Sequence, residues 1–109
     1  MAALTTAVMP LTGGEIEYTA AAGGGDTCQT GTGVLLLVKN GDASSHTVTL
    51  ATPGTVNGLA IADRAIVVPA GAELGIPVTN DYRNPSTGRA AITYDGVTSV
   101  EVAVIRVSV

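Results

Sequence analysis

The segment Val34-Leu-Leu-Leu-Val-Lys-Asn-Gly-Asp-Ala-Ser-Ser-His-Thr-Val-Thr-Leu50 carries the strongest structural signal in this sequence. Residues 34–39 are almost continuously apolar, which predicts a central strand with both faces covered. The polar stretch 40–45 predicts a turn, because an Asn-Gly pair such as Asn40-Gly41 favours positive φ. Residues 46–51 alternate between threonines and apolar side chains, as in a half-buried strand. The segment therefore predicts a β-hairpin.

Further strand-like runs follow at short, regular spacing. No window keeps an apolar pattern of helical period over three turns, and 14 glycines and 5 prolines interrupt the chain. Asp95-Gly96 predicts a second hairpin with a type I′ turn, and Pro77 places its strand at a sheet edge. The fold class is therefore all-β: a single β-sandwich of about seven to eight mostly antiparallel strands, jelly-roll or immunoglobulin-like. The predicted strands after residue 51 are 65–68, 73–78, 90–94 and 97–109, with a short apolar piece at 59–62.

The first 30 residues are rich in glycine and differ from the rest of the sequence. Residues 15–19 alternate, with Ile16 and Tyr18 out of phase with two glutamates, and predict a half-buried strand. Residues 20–26 are flexible by composition. Two interpretations stay open, a loop between strands or an arm that orders on a neighbouring subunit. One domain is expected, with an N-terminal arm or first strand (1–30) and a sandwich body (31–109).

The chain is poor in charge and in large aromatic side chains. Of its 109 residues, 13% are charged, and neither Phe nor Trp occurs. A buried aromatic side chain removes ~150–250 Å² from water, so this chain has fewer means of stabilising a core by itself. We therefore expect an oligomer or a subunit bound to another protein.

The charge distribution excludes several classes of function. The net charge is −4 and the five basic residues are scattered, so we expect no direct binding of nucleic acid. The first basic residue is Lys39, which argues against a secretory signal. The longest apolar run, 34–38, is far shorter than the ~20 residues of a membrane span. We expect no membrane partner. We expect the protein to be synthesised in a reducing cytoplasm.

The sequence lacks the residue patterns typical of catalysis. Ser45, His46 and Asp63 are the residue types of a triad, but adjacent strand residues point to opposite faces, so we expect His46 to be a half-exposed turn residue. Cys28 has no basic neighbour in sequence to lower its pKa and is expected to be a small buried or loop residue. Residues 23–25 lack the Lys-Ser or Lys-Thr of a phosphate loop. We predict no enzyme, no catalytic residue, no cofactor and no metal site.

Several of these segments resemble a family of small structural proteins of tailed bacteriophages and prophages. The resemblance lies in residues 34–50, in Thr52-Pro-Gly-Thr-Val-Asn-Gly-Leu-Ala-Ile-Ala-Asp-Arg64 and in Val68-Pro-Ala-Gly71. Residues 92–104 are similar to the C-terminal hairpin of the same family. The likeness covers roughly residues 15–109 and rests on structural motifs, so it transfers no catalytic residue.

The resemblance implies a capsid decoration (cement) protein that binds the major capsid protein and stabilises the head shell. Its place would be the capsid surface of the virion, after synthesis in the host cytoplasm. Proteins of this kind associate with themselves as homotrimers, or bind as dimers or monomers, and the stoichiometry stays open. The alternatives are another virion part, such as a head–tail completion or tail component, and a non-catalytic binding or adhesion module.

Two regions are predicted to make protein contacts. One is the N-terminal third, which contains Tyr18. The other is the long polar loop of the second half, because Tyr and Arg are enriched at interfaces. The predicted interface residues are Tyr18, Asp81, Tyr82, Arg83 and Arg89.

Overall fold

The computed structural model describes residues 2–107, which form short β-strands and one 3₁₀ turn. Residues 108 and 109 of the predicted final strand lie outside the described residues. Within the described part, no helix is long and apolar enough to cross a membrane. The strands are β1 (Ala2–Ala3), β2 (Thr6–Met9), β3 (Thr19–Ala20), β4 (Asp26–Cys28), β5 (Val34–Asn40), β6 (His46–Leu50), β7 (Thr55–Val56), β8 (Leu59–Ala60), β9 (Arg64–Val68), β10 (Glu73–Pro77), β11 (Arg83–Asn84), β12 (Arg89–Tyr94) and β13 (Val100–Val107), and the 3₁₀ turn is Asn80–Tyr82.

The strands form two large sheets and a separate two-stranded ribbon. Sheet one has the order β1-β4-β12-β6-β9, with β11 beside β12. Sheet two has the order β10-β5-β13-β2, with β3 also beside β13. The ribbon consists of β7 and β8, which pair with each other. The predicted all-β sandwich is confirmed.

The topology of the sandwich is that of a jelly roll. Its principal strands follow the orders β3-β13-β5-β10 and β4-β12-β6-β9. Strands that succeed one another in the chain therefore lie in opposite sheets, with the exception of β6 and β9. This wrapped arrangement distinguishes a jelly roll from an immunoglobulin sandwich. The N-terminal strands β1 and β2 pair in parallel with β4 and β13 and so extend both sheets.

Both predicted hairpins are wrong, because the chain crosses between the sheets at each of these turns. β5 pairs with β10 and β13, whereas β6 pairs with β12 and β9. β12 likewise lies in sheet one and β13 in sheet two. An alternating strand has the same side-chain pattern whether its successor lies beside it or across the core. The local pattern therefore does not distinguish a hairpin from an arch between sheets.

The positions predicted for β5 and β10 within a sheet are confirmed. β5 lies between β10 and β13, and β10, which ends at Pro77, is an edge strand. Leu36 and Val38 of β5 are fully buried between the sheets. Leu35 and Leu37 point to the outer face and are only partly buried. The prediction that both faces of β5 are covered therefore holds for the inner face alone.

The core between the sheets is aliphatic. The inner faces of both sheets contribute Val, Leu and Ile side chains, and Tyr82 and Tyr94 pack against this cluster while only partly buried. Aliphatic side chains can interdigitate across two sheets without large aromatic groups. The largest apolar side chains that are fully buried are Leu36, Val38, Val48, Leu50, Val68, Val78, Ile92, Val100 and Val102.

The N-terminal segment packs on the body of its own chain. The strand predicted for residues 15–19 is largely absent, and only Thr19–Ala20 pairs, with β13. The amide of Leu4 donates a hydrogen bond to the carbonyl oxygen of Thr27 (2.8 Å). The glycine-rich part contains a turn in which the Gly25 amide donates to the Ala22 carbonyl (2.9 Å), with φ of 93° at Gly25.

Candidate functional site

The ribbon of β7 and β8 is the most exposed part of the sandwich body. All residues from 53 to 65 are exposed. Three of them are large and apolar, with exposed fractions of 59% for Val56, 72% for Leu59 and 40% for Ile61. The segment 51–62 contains no charged residue. The ribbon therefore presents an uncharged apolar surface to the solvent.

The ribbon is the distal end of the hairpin formed by β6 and β9. Its tip is Asn57-Gly58, with φ of 52° and 77°, the positive values that a type I′ turn requires. At its root the amide of Thr52 donates a hydrogen bond to Oδ1 of Asp63 (2.8 Å). Sequence reasoning missed this turn, although Val56-Asn57-Gly58-Leu59 is an Asn-Gly pair between apolar residues. We name residues 51–62 the ribbon.

An open groove starts at the root of the ribbon. Its first part has a volume of about 630 Å³ and is lined by Ile61, Arg64, Asp81 and Tyr82, among others. Its second part, of about 390 Å³, shares Arg64, Asp81 and Tyr82 with the first and runs between the edge strands β9 and β10. The apolar residues of this second part are Ile66, Leu74, Ile76 and Pro77. We name these two parts together the groove.

Three of the predicted interface residues lie at or next to the groove. Asp81 and Tyr82 line it, and Asp81 accepts a hydrogen bond from the Thr79 hydroxyl (3.0 Å). Tyr82 is half-buried and contacts the core. Arg83 follows in β11, is exposed and pairs in register with Ala90 of β12.

The other two predicted interface residues lie elsewhere. The guanidinium of Arg89 donates hydrogen bonds to the carbonyl oxygens of Leu4 (2.8 Å) and Thr27 (3.2 Å), and to the Thr27 hydroxyl (3.1 Å). It therefore ties the N-terminal segment to sheet one. Tyr18 lies near sheet two, with the Lys39 ammonium 5.5 Å from its ring centroid. Partial burial, and then the charges of Glu73 and Glu101, raise the pKa of Tyr18.

The outer face of sheet one forms a second surface, composed mainly of threonine, alanine and valine side chains. Thr93 is paired in register with Thr49, and Thr49 with Ala65. Residues paired in register point to the same side of a sheet. Val48 and Leu50, which flank Thr49 in the chain, are buried and point to the opposite side. We name this surface the threonine face. It consists of Thr27, Thr47, Thr49, Ala65, Val67, Ala91 and Thr93.

His46 is held between two carboxylates. Its Nε2 lies 2.8 Å from Oδ2 of Asp42, and its Nδ1 lies 3.1 Å from Oδ1 of Asp95. Its side chain is 12% exposed, so the expectation of a half-exposed turn residue is wrong. Asp42 belongs to the arch after β5 and Asp95 to the arch after β12, so the ring connects the two arches. The amide of Gly41 also joins them, by donating to the carbonyl oxygen of Ser99 (2.9 Å).

Two carboxylate partners require both ring nitrogens of His46 to donate, which only the imidazolium can do. These two hydrogen bonds raise the pKa of His46, that to Asp42 contributing most. The bond from His46 is the main cause that lowers the pKa of Asp42, and the Thr47 backbone amide is the main cause for Asp95. With both nitrogens engaged, His46 has none free to act as a general base. Asp63, the third member of the sequence triad, accepts instead from Thr52.

Cys28 and Asp26 are the two buried side chains that carry an ionisable group among residues 2–107. Cys28 is fully buried, as expected, and burial raises the pKa of its thiol to about 11. Asp26 is also buried and accepts hydrogen bonds from the Tyr94 hydroxyl (2.7 Å) and the Ala22 amide (3.3 Å). Burial and this bond raise the pKa of Tyr94. Among residues 2–107, no group of three or more His, Cys, Asp or Glu side chains is placed to hold a metal ion.

Comparison with protein-family models, with curated proteins and with solved structures found no match to this chain. The functional interpretation therefore rests on the residues and surfaces described above.

Proposed function

We propose that this protein is a capsid decoration protein, which binds the head shell of a bacteriophage through protein–protein contacts and stabilises it. The observation that supports this proposal most directly is the threonine face. It extends across four strands, β4, β12, β6 and β9, and its members have no ionisable side chain. The guanidinium of Arg89, which borders the face on β12, is already held by hydrogen bonds to Thr27 and Leu4. Burying a charge at an interface without a partner is costly, whereas threonine and alanine can be covered at little cost.

The jelly-roll fold is compatible with this proposal but also with other functions. Jelly rolls occur in viral capsid domains and also in lectins, so surface chemistry has to decide between these functions. Sugar-binding surfaces commonly use exposed aromatic rings. All three tyrosines of this chain are partly buried, and Tyr82 and Tyr94 pack against the core. This placement favours a protein partner over a carbohydrate.

The experiment is a binding test on capsids that lack this protein. Added protein is expected to co-sediment with the capsids and to raise the temperature at which they break open. Capsids that bind none of it, or that gain no resistance to heat, contradict the proposal. Labelled protein located at the neck or tail in electron micrographs would instead favour the head–tail or tail alternative.

A charge placed in the threonine face tests the surface itself. Thr93 is exposed near its centre, so Thr93→Lys leaves the core intact but puts an unpaired charge into the proposed contact. We expect the affinity for capsids to fall at least about tenfold. Thr98→Lys, at an exposed position in the arch after β12, is the matched control and is expected to bind normally. Equal binding of the two variants would contradict a role for the threonine face.

A further inference from the structure

The ribbon has the properties of a segment that is covered in the working form of the protein. An isolated two-stranded ribbon is marginally stable in water, and exposed β-strands are usually protected by charges or by a partner. Here residues 51–62 have no charge, and Val56 and Leu59 project into solvent. A lone exposed apolar residue is common, but two beside each other at a projecting tip are typical of an interface anchor.

The groove offers the complementary chemistry. Ile66, Leu74 and Ile76 provide an apolar lining, and Tyr82 adds an aromatic ring. In the second part of the groove the charged lining residues are Arg64 and Asp81, which carry opposite charges, whereas the first part also contains Asp63. The second part is therefore close to neutral and suits an uncharged apolar segment.

The ribbon does not fill the groove of its own chain. Ile61, near the root, lines its first part, whereas Val56 and Leu59 at the tip line neither part. The two surfaces are nevertheless neighbours, since Thr52 and Asp63 at the ribbon root also line the groove. When two complementary surfaces are adjacent on one molecule, a twofold axis close to both places each one against the other in a partner copy.

We infer that the ribbon of one copy docks in the groove of a second copy of this chain, so that the protein associates with itself through a reciprocal exchange of ribbons. This occupant is favoured by three observations: residues 51–62 carry no charge, the charges in the second part of the groove balance, and its apolar lining matches the apolar tip of the ribbon. Val56 and Leu59 insert between β9 and β10 of the partner, and Asn57 meets the polar residues at the groove opening. The inference does not depend on the capsid function.

The first test measures native mass by sedimentation over a range of concentrations. The unaltered protein is expected to form an oligomer that dissociates on dilution. In the double variant Val56→Thr/Leu59→Thr, threonine keeps the β-propensity but removes the apolar anchors. The dissociation constant is expected to rise at least about tenfold. Val67→Thr is the matched control, because Val67 is also a strand valine that is 59% exposed, but on the threonine face.

The second test locates the contact by cross-linking. Leu59→Cys and Thr79→Cys are purified separately, mixed and treated with a short bis-maleimide. Thr79 is exposed and lines the groove, while the native Cys28 is buried with a raised pKa and stays unreactive. A covalent dimer is expected in the mixture, and a mixture of Leu59→Cys with Val67→Cys should give none.

Several outcomes would overturn the inference. A protein that stays monomeric at every concentration has no self-association to explain. An oligomer that survives Val56→Thr/Leu59→Thr unchanged uses another surface. A monomer whose ribbon variant loses capsid binding would show that the ribbon docks on the shell protein. Capsid binding and self-association are measured in separate experiments. A protein that does not self-associate can still bind capsids, and one that does not bind capsids can still self-associate through the ribbon.

Discussion

The chain contains two Asn-Gly pairs of similar local appearance, and they have opposite roles. Asn57-Gly58 has positive φ at both residues and turns the tip of the ribbon in solvent. Asn40 ends β5 and is buried, and Gly41 does not adopt positive φ. The first pair acts through its backbone and the second through a side chain. The difference shows that burial, which the dipeptide does not encode, decides which property of Asn-Gly is used.

The Asn40 side chain organises the arch between β5 and β6. Its Nδ2 donates to the carbonyl oxygens of Ser44 (2.9 Å) and Val68 (3.1 Å), and its Oδ1 accepts from the Asp42 amide (3.0 Å). These bonds hold the arch against the end of β9. The arch is held by the hydrogen bonds of the Asn40 side chain and by the bond between His46 and Asp42. The ribbon has one side-chain hydrogen bond at its root, from the Thr52 amide to Asp63.

The largest effect is expected from Asn40→Ala. The substitution leaves the buried carbonyl of Val68 and the amide of Asp42 without partners, which should lower the free energy of unfolding by about 2–4 kcal/mol. Urea denaturation measures this change. Asn57→Ala is the matched control, and we expect a loss of about 1 kcal/mol, because its side chain is exposed and the cost is the strain of alanine at a positive φ. Equal losses for the two variants would contradict the distinction between the two Asn-Gly pairs.

A smaller effect is expected from titration of the histidine that joins the arches. The pKa of His46 is raised in the folded protein, so its contribution to stability is fully present below the unfolded value of about 6.5 and is lost as the pH rises through the folded pKa. The pKa values of Asp42 and Asp95 are lowered, so their contribution is present above about 3.9 and is lost as the pH falls through their folded pKa values.

The midpoint of thermal unfolding should therefore be highest between about pH 4 and 6.5 and should decline on either side. His46→Gln removes the cation and is expected to flatten the decline above pH 6.5. Ser45→Gln, at the exposed position next to it, is expected to keep the decline. A pH profile that is the same for both variants would mean that the bonds of His46 to Asp42 and Asp95 do not determine it.

The smallest effect on global stability is expected from Gly58→Ala. A Cβ there meets no atom within 4 Å, so the cost is the backbone strain of a positive φ, about 1 kcal/mol. Because residues 53–62 are exposed in the single chain, this strain should speed hydrogen exchange at residues 55–60 of the dissociated monomer and leave its unfolding temperature nearly unchanged. Loss of several degrees in that temperature would show that the ribbon folds as one unit with the sandwich.

The candidate site was only partly predictable from the sequence. Residue type alone predicts Asp81 and Tyr82 as interface residues, and both line the groove. The side chains of Tyr18 and Arg89 gave the same signal, but the fold engages them with Lys39 and with backbone oxygens of Leu4 and Thr27. Residue type alone does not tell whether a guanidinium faces a partner or its own chain.

The ribbon and the bonds of His46 show two different limits. The turn at Asn57-Gly58 has a readable signal, an Asn-Gly pair between apolar residues, although the turn predicted for this region lies at nearby residues 52–54. Asp42 is four residues from His46 and could have been noticed. Asp95 is far from His46 in sequence. It contacts the imidazole of His46 only because the arches after β5 and after β12 lie at the same end of the sandwich.

The sequence by itself determined that this protein is a β-sandwich with an aliphatic core, because alternation and burial are properties of each strand separately. It also determined that β5 is central and that β10, with Pro77, is an edge strand. Only the tertiary structure decided which strands are neighbours, since an arch and a hairpin bury the same residues of each strand. That choice produced the jelly roll, placed His46 between two carboxylates and left the ribbon beside the groove.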